Sequence, residues 1–146
     1  MRREGYMVLA GHIDERNQLW VTITVGGATQ KQTIQALIDT GFTGELSLPL
    51  HVAIPLGLQL TAATKVTFAN GKESEEMLFT GTLDWGTTAS RPVTINVFNS
   101  DTPLVGGGLL QGYVLLVDFD KKRLIIKEPG IDEPSVPPEV KKKSKK

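Results

Sequence analysis

The amino-acid sequence predicts an all-β domain, and two observations indicate this class. Short segments rich in β-branched residues recur at intervals of about 8–12 residues, with Gly, Asn and Asp between them. The dipeptide Asn70-Gly71 lies between two such segments and favours the two-residue turn of a β-hairpin. The length of 146 residues is sufficient for one domain with its own hydrophobic core.

The predicted elements in the first part of the chain are a hairpin and a mostly irregular connection. Alternating apolar residues predict a strand at 19–25, and Gly26-Gly27 separates it from a second strand at 32–38. Residues 46–58 contain Pro49, Pro55 and Gly57. These residues favour a helical turn and a loop over a long helix.

The second part of the chain is also predicted to be mainly strand. Residues 104–110 begin as a strand and are compatible with a short helix. The other predicted strands lie at residues 65–69, 73–83, 91–98, 113–118 and 123–127.

From residue 131 the composition changes. Three prolines precede a lysine-rich end at 141–146, and no apolar periodicity is present. We therefore predict a folded domain at 1–130 and a disordered tail at 131–146. A solvated tail is the simpler interpretation, and an electrostatic tether to RNA, membrane or an acidic partner is the alternative.

Composition excludes several classes of site. The 16 basic and 16 acidic side chains give zero net charge, so a nucleic-acid partner is not expected. Without cysteine there is no disulfide, thiolate nucleophile or cysteine metal site. The two histidines, His12 and His51, have no partner pattern for a serine-type triad or a zinc site.

Hydropathy argues against insertion into a membrane. No apolar run approaches the roughly 20 residues of a membrane helix. The apolar run at 6–10 is also too short for a signal sequence. A cytoplasmic location is therefore the expectation.

The candidate for chemistry is Asp39-Thr40-Gly41, which follows an apolar strand directly. An aspartate at the end of a buried strand presents its carboxylate from a rigid frame. Gly41 can adopt positive φ, which would let its N–H turn back towards that carboxylate. Taken alone, the tripeptide favours an ordinary turn over a catalytic site.

The order of three motifs resembles the retropepsin-like (clan AA) single-domain aspartic proteases. Asp39-Thr40-Gly41, the hairpin at Asn70-Gly71 and the later Leu104-Val105-Gly106 carry the resemblance, which covers roughly residues 18–127. The segment at 42–49 and the closing strand at 113–119 look like the bacterial members. The resemblance implies a closed β-barrel with a flap hairpin and one short helix. It also implies an aspartic endopeptidase that cleaves peptide or protein substrates and uses no metal or organic cofactor.

The single Asp-Thr-Gly predicts an assembly. Attack of water on an amide needs one carboxyl group to accept a proton and one to donate a proton. Two adjacent carboxyl groups can do this by sharing a proton. Because the chain supplies one such motif, Asp39 must meet Asp39 of a second copy across a two-fold axis, in a C2 homodimer.

The resemblance also gives the motif residues their expected roles. Asp39 is each half of the catalytic dyad, Thr40 braces both catalytic loops across the axis, and Gly41 permits a close backbone approach. Predicted substrate-binding residues are Phe42, Asn70-Gly71 at the flap tip, and Leu104-Val105-Gly106, which would support the loop from below.

Three departures from the family pattern keep a second interpretation open. Phe42 stands where retropepsins usually have Ala or Ser, and it either lines the cleft or packs in the core. Gly107-Gly108 replace a common Arg-Asp, which removes an ion pair near the dimer interface. The flap segment at 70–76 is unusually charged.

The alternative function is a catalytically silent dimer that binds extended peptides by strand addition. A third interpretation is a structural β-domain whose basic tail recruits a partner.

Overall fold

The computed structural model describes residues 8–67, 69–86, 89–98 and 100–131. Within these ranges there are eleven strands and two short helices. The strands are β1 Val8–Ala10, β2 His12–Ile13, β3 Leu19–Gly26, β4 Lys31–Ile38, β5 Leu46–Pro49, β6 Gln59–Thr67, β7 Glu73–Asp84, β8 Arg91–Phe98, β9 Leu104–Val105, β10 Val114–Asp118 and β11 Arg123–Lys127. The helices are α1 Leu50–Leu56 and α2 Gly107–Leu110.

Six strands close into a barrel, which confirms the predicted fold class. Around the barrel the order is β3, β4, β9, β5, β8 and β7, and β7 pairs with β3 to complete the ring. β4 with β9 and β5 with β8 are parallel pairs, whereas the other contacts in the ring are antiparallel. β6 continues the sheet beyond β7 and forms with it the long hairpin predicted around Asn70-Gly71.

Alternating side chains of the strands fill the barrel. On β3, Val21, Ile23 and Val25 are buried while Thr22 is exposed, as expected for a strand with one face in a core. They share one apolar cluster with Leu46 of β5 and other buried side chains. Each fully buried aliphatic side chain contributes about 1.5–3 kcal/mol. The core thus fixes β4, the strand that leads into Asp39.

A second sheet of three strands, in the order β1-β11-β10, covers one side of the barrel. The sequence predicted the β10–β11 hairpin but not β1 or β2, which are too short to show periodicity. Gly11 lies between these two strands. The position requires glycine because a Cβ atom there would clash with the Trp20 carbonyl oxygen. The chain therefore crosses from one sheet to the other at a glycine.

The segment at 46–58 is more regular than predicted. It contains strand β5 and then α1, which ends at Gly57 with a left-handed φ of 73°. β6 starts at Gln59, earlier than predicted, because its pairing with β7 continues past a register shift between Leu60 and Ala62.

The predicted tail at 131–146 lies outside the described residues except for its first position. In the part of the chain that is described, no helix is long and apolar enough to cross a membrane.

Candidate active site

Asp39 follows directly on the last residue of β4 and is fixed through its backbone. The N–H of Leu37 donates to the Pro103 carbonyl at 2.9 Å, and the N–H of Asp39 donates to the Val105 carbonyl at 2.9 Å. Strand β9 therefore runs beside β4 up to the aspartate, and its other edge pairs with β5. The half-buried carboxylate thus leaves the barrel at a point held by three adjacent strands.

The turn at Asp39 forms the hydrogen bond that the sequence predicted. The Gly41 N–H donates to Asp39 Oδ1 at 3.0 Å, and the Phe42 N–H donates to the Asp39 carbonyl at 3.1 Å. Gly41 does this without the positive φ that was expected. Glycine is favoured at position 41 for steric reasons, because a Cβ atom there would lie only 3.3 Å from Asp39 Oδ1. Thr40, between them, is exposed.

The segment that begins with the motif, residues 39–45, is called the motif loop here and contacts a run of glycines at 106–108. The N–H groups of Gly106, Gly107 and Gly108 donate to three carbonyls of the motif loop, at 3.0, 2.7 and 3.0 Å. A Cβ atom on Gly106 would clash with the Gly44 carbonyl oxygen and lie 2.5 Å from Phe42 Cδ2. The glycine run therefore permits direct backbone contact beneath the loop.

Leu104 and Val105 support the loop from within the fold. They form β9, where Leu104 is half-buried and Val105 is fully buried in the core. Neither they nor Gly106 line the pocket described below. A direct substrate contact by these residues stays a prediction.

Phe42 projects away from the core. Its half-buried ring meets Phe98 edge to face, with centroids 6.3 Å apart and an interplanar angle of 74°. Neither ring belongs to the apolar cluster of the barrel among the described residues. Gly44 leaves room for the ring, since a Cβ atom there would lie 2.6 Å from Phe42 Cζ. Of the two predicted placements, core or cleft, the structure has Phe42 outside the core cluster, in the wall of the pocket described next.

An open pocket of about 550 Å³, called the site pocket here, begins at the motif loop. Residues 41–45 form one side, and strands β7 and β8 form the rest. The lining residues beyond the loop are Glu76, Leu78, Thr94, Asn96 and Phe98. The sequence analysis did not assign these five to the site, because their approach to the motif loop depends on the pairing of β8 with β5 and β7.

Asn70 and Gly71 lie at the exposed tip of the β6–β7 hairpin and do not line the site pocket. Gly71 has a φ of 85°, and Asn70 Oδ1 accepts a hydrogen bond from the Lys72 N–H at 3.0 Å. The stem of the hairpin reaches the pocket through β7.

Glu45 connects the motif loop to strand β8. Its Oε1 accepts the Thr94 N–H at 2.8 Å, and its Oε2 lies 3.3 Å from Arg91 Nη2. Both side chains of the ion pair are about one-third exposed or less. Both oxygens of this carboxylate are therefore used within the fold.

Two carboxylates away from the motif loop have lowered pKa values: Asp14, which follows β2, and Asp84, the last residue of β7. The backbone N–H of Gln18 and the indole N–H of Trp20 lower the pKa of Asp14. The Ser90 hydroxyl and then the Lys31 ammonium lower the pKa of Asp84. In the described ranges, no three His, Cys, Asp or Glu side chains are grouped to hold a metal ion.

Comparison with known proteins relates the fold to solved structures. No protein-family model matches the chain, and no curated protein matches its sequence. The chain is similar in structure to a retropepsin-like aspartic protease from Rickettsia conorii, with a TM-score of 0.57 and 18% sequence identity. The match covers 88% of this chain and 98% of that chain. At this identity the likeness shows the fold, so the chain has a retropepsin-like β-barrel.

Proposed function

We propose that this protein is an aspartic endopeptidase that acts as a homodimer. The observation that carries the proposal is the placement of Asp39. A retropepsin-like barrel holds this aspartate at the end of β4, its carboxylate oriented by the Gly41 N–H at 3.0 Å and its backbone fixed by β9. An open pocket starts at the same glycine.

The dimer follows from the chemistry of amide hydrolysis. One carboxylate must accept a proton from water and a second, protonated carboxyl must donate to the carbonyl oxygen. Each chain contributes one Asp-Thr-Gly. Two-fold symmetry brings two copies of Asp39 into one site, where sharing of a single proton gives the two groups their different roles.

In the proposed mechanism, the ionised Asp39 accepts a proton from the water as the water oxygen bonds to the scissile carbonyl carbon. The protonated Asp39 of the second copy donates its proton to the carbonyl oxygen. Collapse of the tetrahedral diol intermediate breaks the carbon–nitrogen bond. One carboxyl group gives its proton to the departing amine, and the other carboxylate takes a hydroxyl proton from the diol, which restores the singly protonated dyad. The exposed Thr40 would brace the two motif loops across the axis.

The substrate is an extended peptide. It would lie along the open site pocket, and the tip of the β6–β7 hairpin at Asn70-Gly71 would close over it and exclude water. Phe42 would contact the substrate directly as part of the pocket wall.

The test is the substitution Asp39→Asn in the full chain, with Asp101→Asn as a matched control at an exposed turn position. Cleavage of a peptide library is followed by mass spectrometry, and oligomeric state by analytical ultracentrifugation. Asp39→Asn should abolish cleavage with the fold and the dimer retained, while Asp101→Asn should cleave like wild type. Cleavage by Asp39→Asn would remove this residue from the mechanism.

The second candidate is a dimer that binds extended peptides without cutting them. Strand β6 at the edge of the described sheet favours it, because its free backbone edge could pair with a peptide. Tight peptide binding with no turnover at acidic and neutral pH would select this function over the protease.

A further inference from the structure

The site pocket has an aromatic wall beside the proposed catalytic aspartate. Phe42 and Phe98 form this wall, and Gly44 and Gly106 leave the space in which the Phe42 ring lies. A Cβ atom on either glycine would come within 2.6 Å of a Phe42 ring atom. The two glycines therefore let the Phe42 ring lie close to their backbone, in the wall of the pocket.

The pocket also has one carboxylate with capacity to bind a ligand. Glu76 on β7 is half-buried, and its Oε1 accepts the Asn96 Nδ2 at 3.3 Å. Asn96 is 6% exposed, so it positions the carboxylate from below rather than competing for it at the surface. Among the residues whose side chains the structure describes, no other donates a hydrogen bond to the Glu76 side chain.

The second carboxylate of the pocket, Glu45, does not compete with Glu76 for a ligand, because both of its oxygens have partners within the fold. Glu45 already accepts from the Thr94 N–H and pairs with Arg91. Arg91 therefore balances the charge of Glu45, and Glu76 gives the pocket one uncompensated negative charge among its described lining residues.

We propose that the site pocket selects a cationic side chain, arginine or lysine, in the substrate peptide, with Glu76 as the specificity-determining residue. The aliphatic stem would pack on the aromatic wall and Leu78, as long cationic side chains do when only the head needs polar contact. The guanidinium or ammonium group would donate to Glu76, and the rings add an attraction for a cation. The inference rests on the proposed function, since it names the residue that the peptide substrate presents.

The experiment compares peptides that carry arginine or citrulline at each position in turn. Citrulline keeps the shape of arginine and removes its charge. The values of kcat/KM are measured for wild type, Glu76→Gln and Glu75→Gln. Glu75 is the exposed neighbour on the opposite face of β7, so its variant removes the same charge from the same hairpin.

Wild type should prefer arginine by about tenfold at one position, the factor expected for a charge-assisted hydrogen bond. Glu76→Gln should bring that ratio to about one while citrulline peptides are cleaved as before. It still offers Asn96 an oxygen acceptor, so the fold is preserved. Glu75→Gln should keep the preference, and Glu76→Lys should disfavour arginine at that position.

Binding to the Asp39→Asn variant separates this inference from the protease proposal. Equal cleavage of arginine and citrulline peptides at every position would overturn the pocket assignment and leave the protease standing. An arginine preference in binding to Asp39→Asn, without any cleavage by wild type, would support the pocket and overturn the protease. Loss of the preference in Glu75→Gln as well would show a general charge effect and overturn the role of Glu76.

Discussion

Substitution of Gly106 by alanine should destabilise the protein, whereas the same change at Gly107 should not. Gly106 has an extended backbone, with φ −101° and ψ 177°, so alanine meets no conformational obstacle there. The obstacle is steric. The new Cβ would clash with the Gly44 carbonyl oxygen and lie 2.6 Å from the Phe42 carbonyl oxygen. Both atoms are backbone and cannot rotate away.

Overpacking of this kind costs about 1–3 kcal/mol, and two fixed oxygens place Gly106→Ala near the upper end. Around Gly107 the nearest atoms to a new Cβ are 3.7 and 3.8 Å away, which is ordinary contact. At the first position of α2, alanine is also a better helix former than glycine, by roughly 0.5–1 kcal/mol. Gly107→Ala should therefore be neutral or slightly stabilising.

Urea denaturation followed by circular dichroism measures both changes in the free energy of unfolding. Peptide cleavage should fall with Gly106→Ala and persist with Gly107→Ala, because only the first displaces the motif loop that carries Asp39. Equal stability of the two variants would refute the steric reasoning and, with it, the close contact between the glycine run and the loop.

Two further predictions concern charged groups outside the dyad. Glu45→Gln removes the ion pair with Arg91 but keeps an acceptor for the Thr94 N–H, so we expect a loss of about 1 kcal/mol in urea denaturation and slower cleavage. The control is Lys31→Gln, which breaks the more exposed ion pair with Asp84 and should change the free energy of unfolding by about a few tenths of a kcal/mol. An equal effect of the two substitutions would contradict the role of Glu45 in connecting the motif loop to β8. Asp14 has a lowered pKa in the folded state because of the Gln18 N–H and the Trp20 indole, so its stabilisation is present above its ordinary pKa of 3.8 and is lost as pH falls through the lower folded value. Acid titration of unfolding should show the difference between wild type and Asp14→Asn shrinking below pH 3.8, and a difference that grows there would reverse the sign of this argument.

Local patterns in the sequence predicted the strands with several alternating residues. The predicted strands at 91–98 and 123–127 coincide with β8 and β11. β1 was missed because its three residues are strand only through pairing with β11, as in Val8 with Lys127. Closure of the barrel through Val25 and Leu83 is likewise a long-range pairing, and periodicity within a segment carries no information about its partner.

In the candidate site, too, local sequence predicted one part and long-range pairing determines the other. Asp39-Thr40-Gly41 is contiguous, so its turn and the Gly41 hydrogen bond were predictable from local chemistry. The contact between Glu76 and Asn96 depends instead on the register of β7 against β8, which places Leu78 opposite Asn96. A shift of one residue would send Asn96 to the other face of the sheet. The proposed catalytic turn was therefore accessible to sequence reasoning, and the pocket was not.

The glycines at 107 and 108 differ in what they contribute, and this bears on how the proposed dimer would be held. Gly108 is sterically required, because a Cβ atom there would lie 2.8 Å from the Thr43 carbonyl oxygen, whereas Gly107 has room for a side chain. The loop is braced within one subunit by backbone hydrogen bonds and by Glu45 with Arg91. An arginine after Gly106 is therefore not needed to hold Asp39 in place. Its absence would act on association of the subunits, so weak dimerisation and a well-formed motif loop are compatible in this protein.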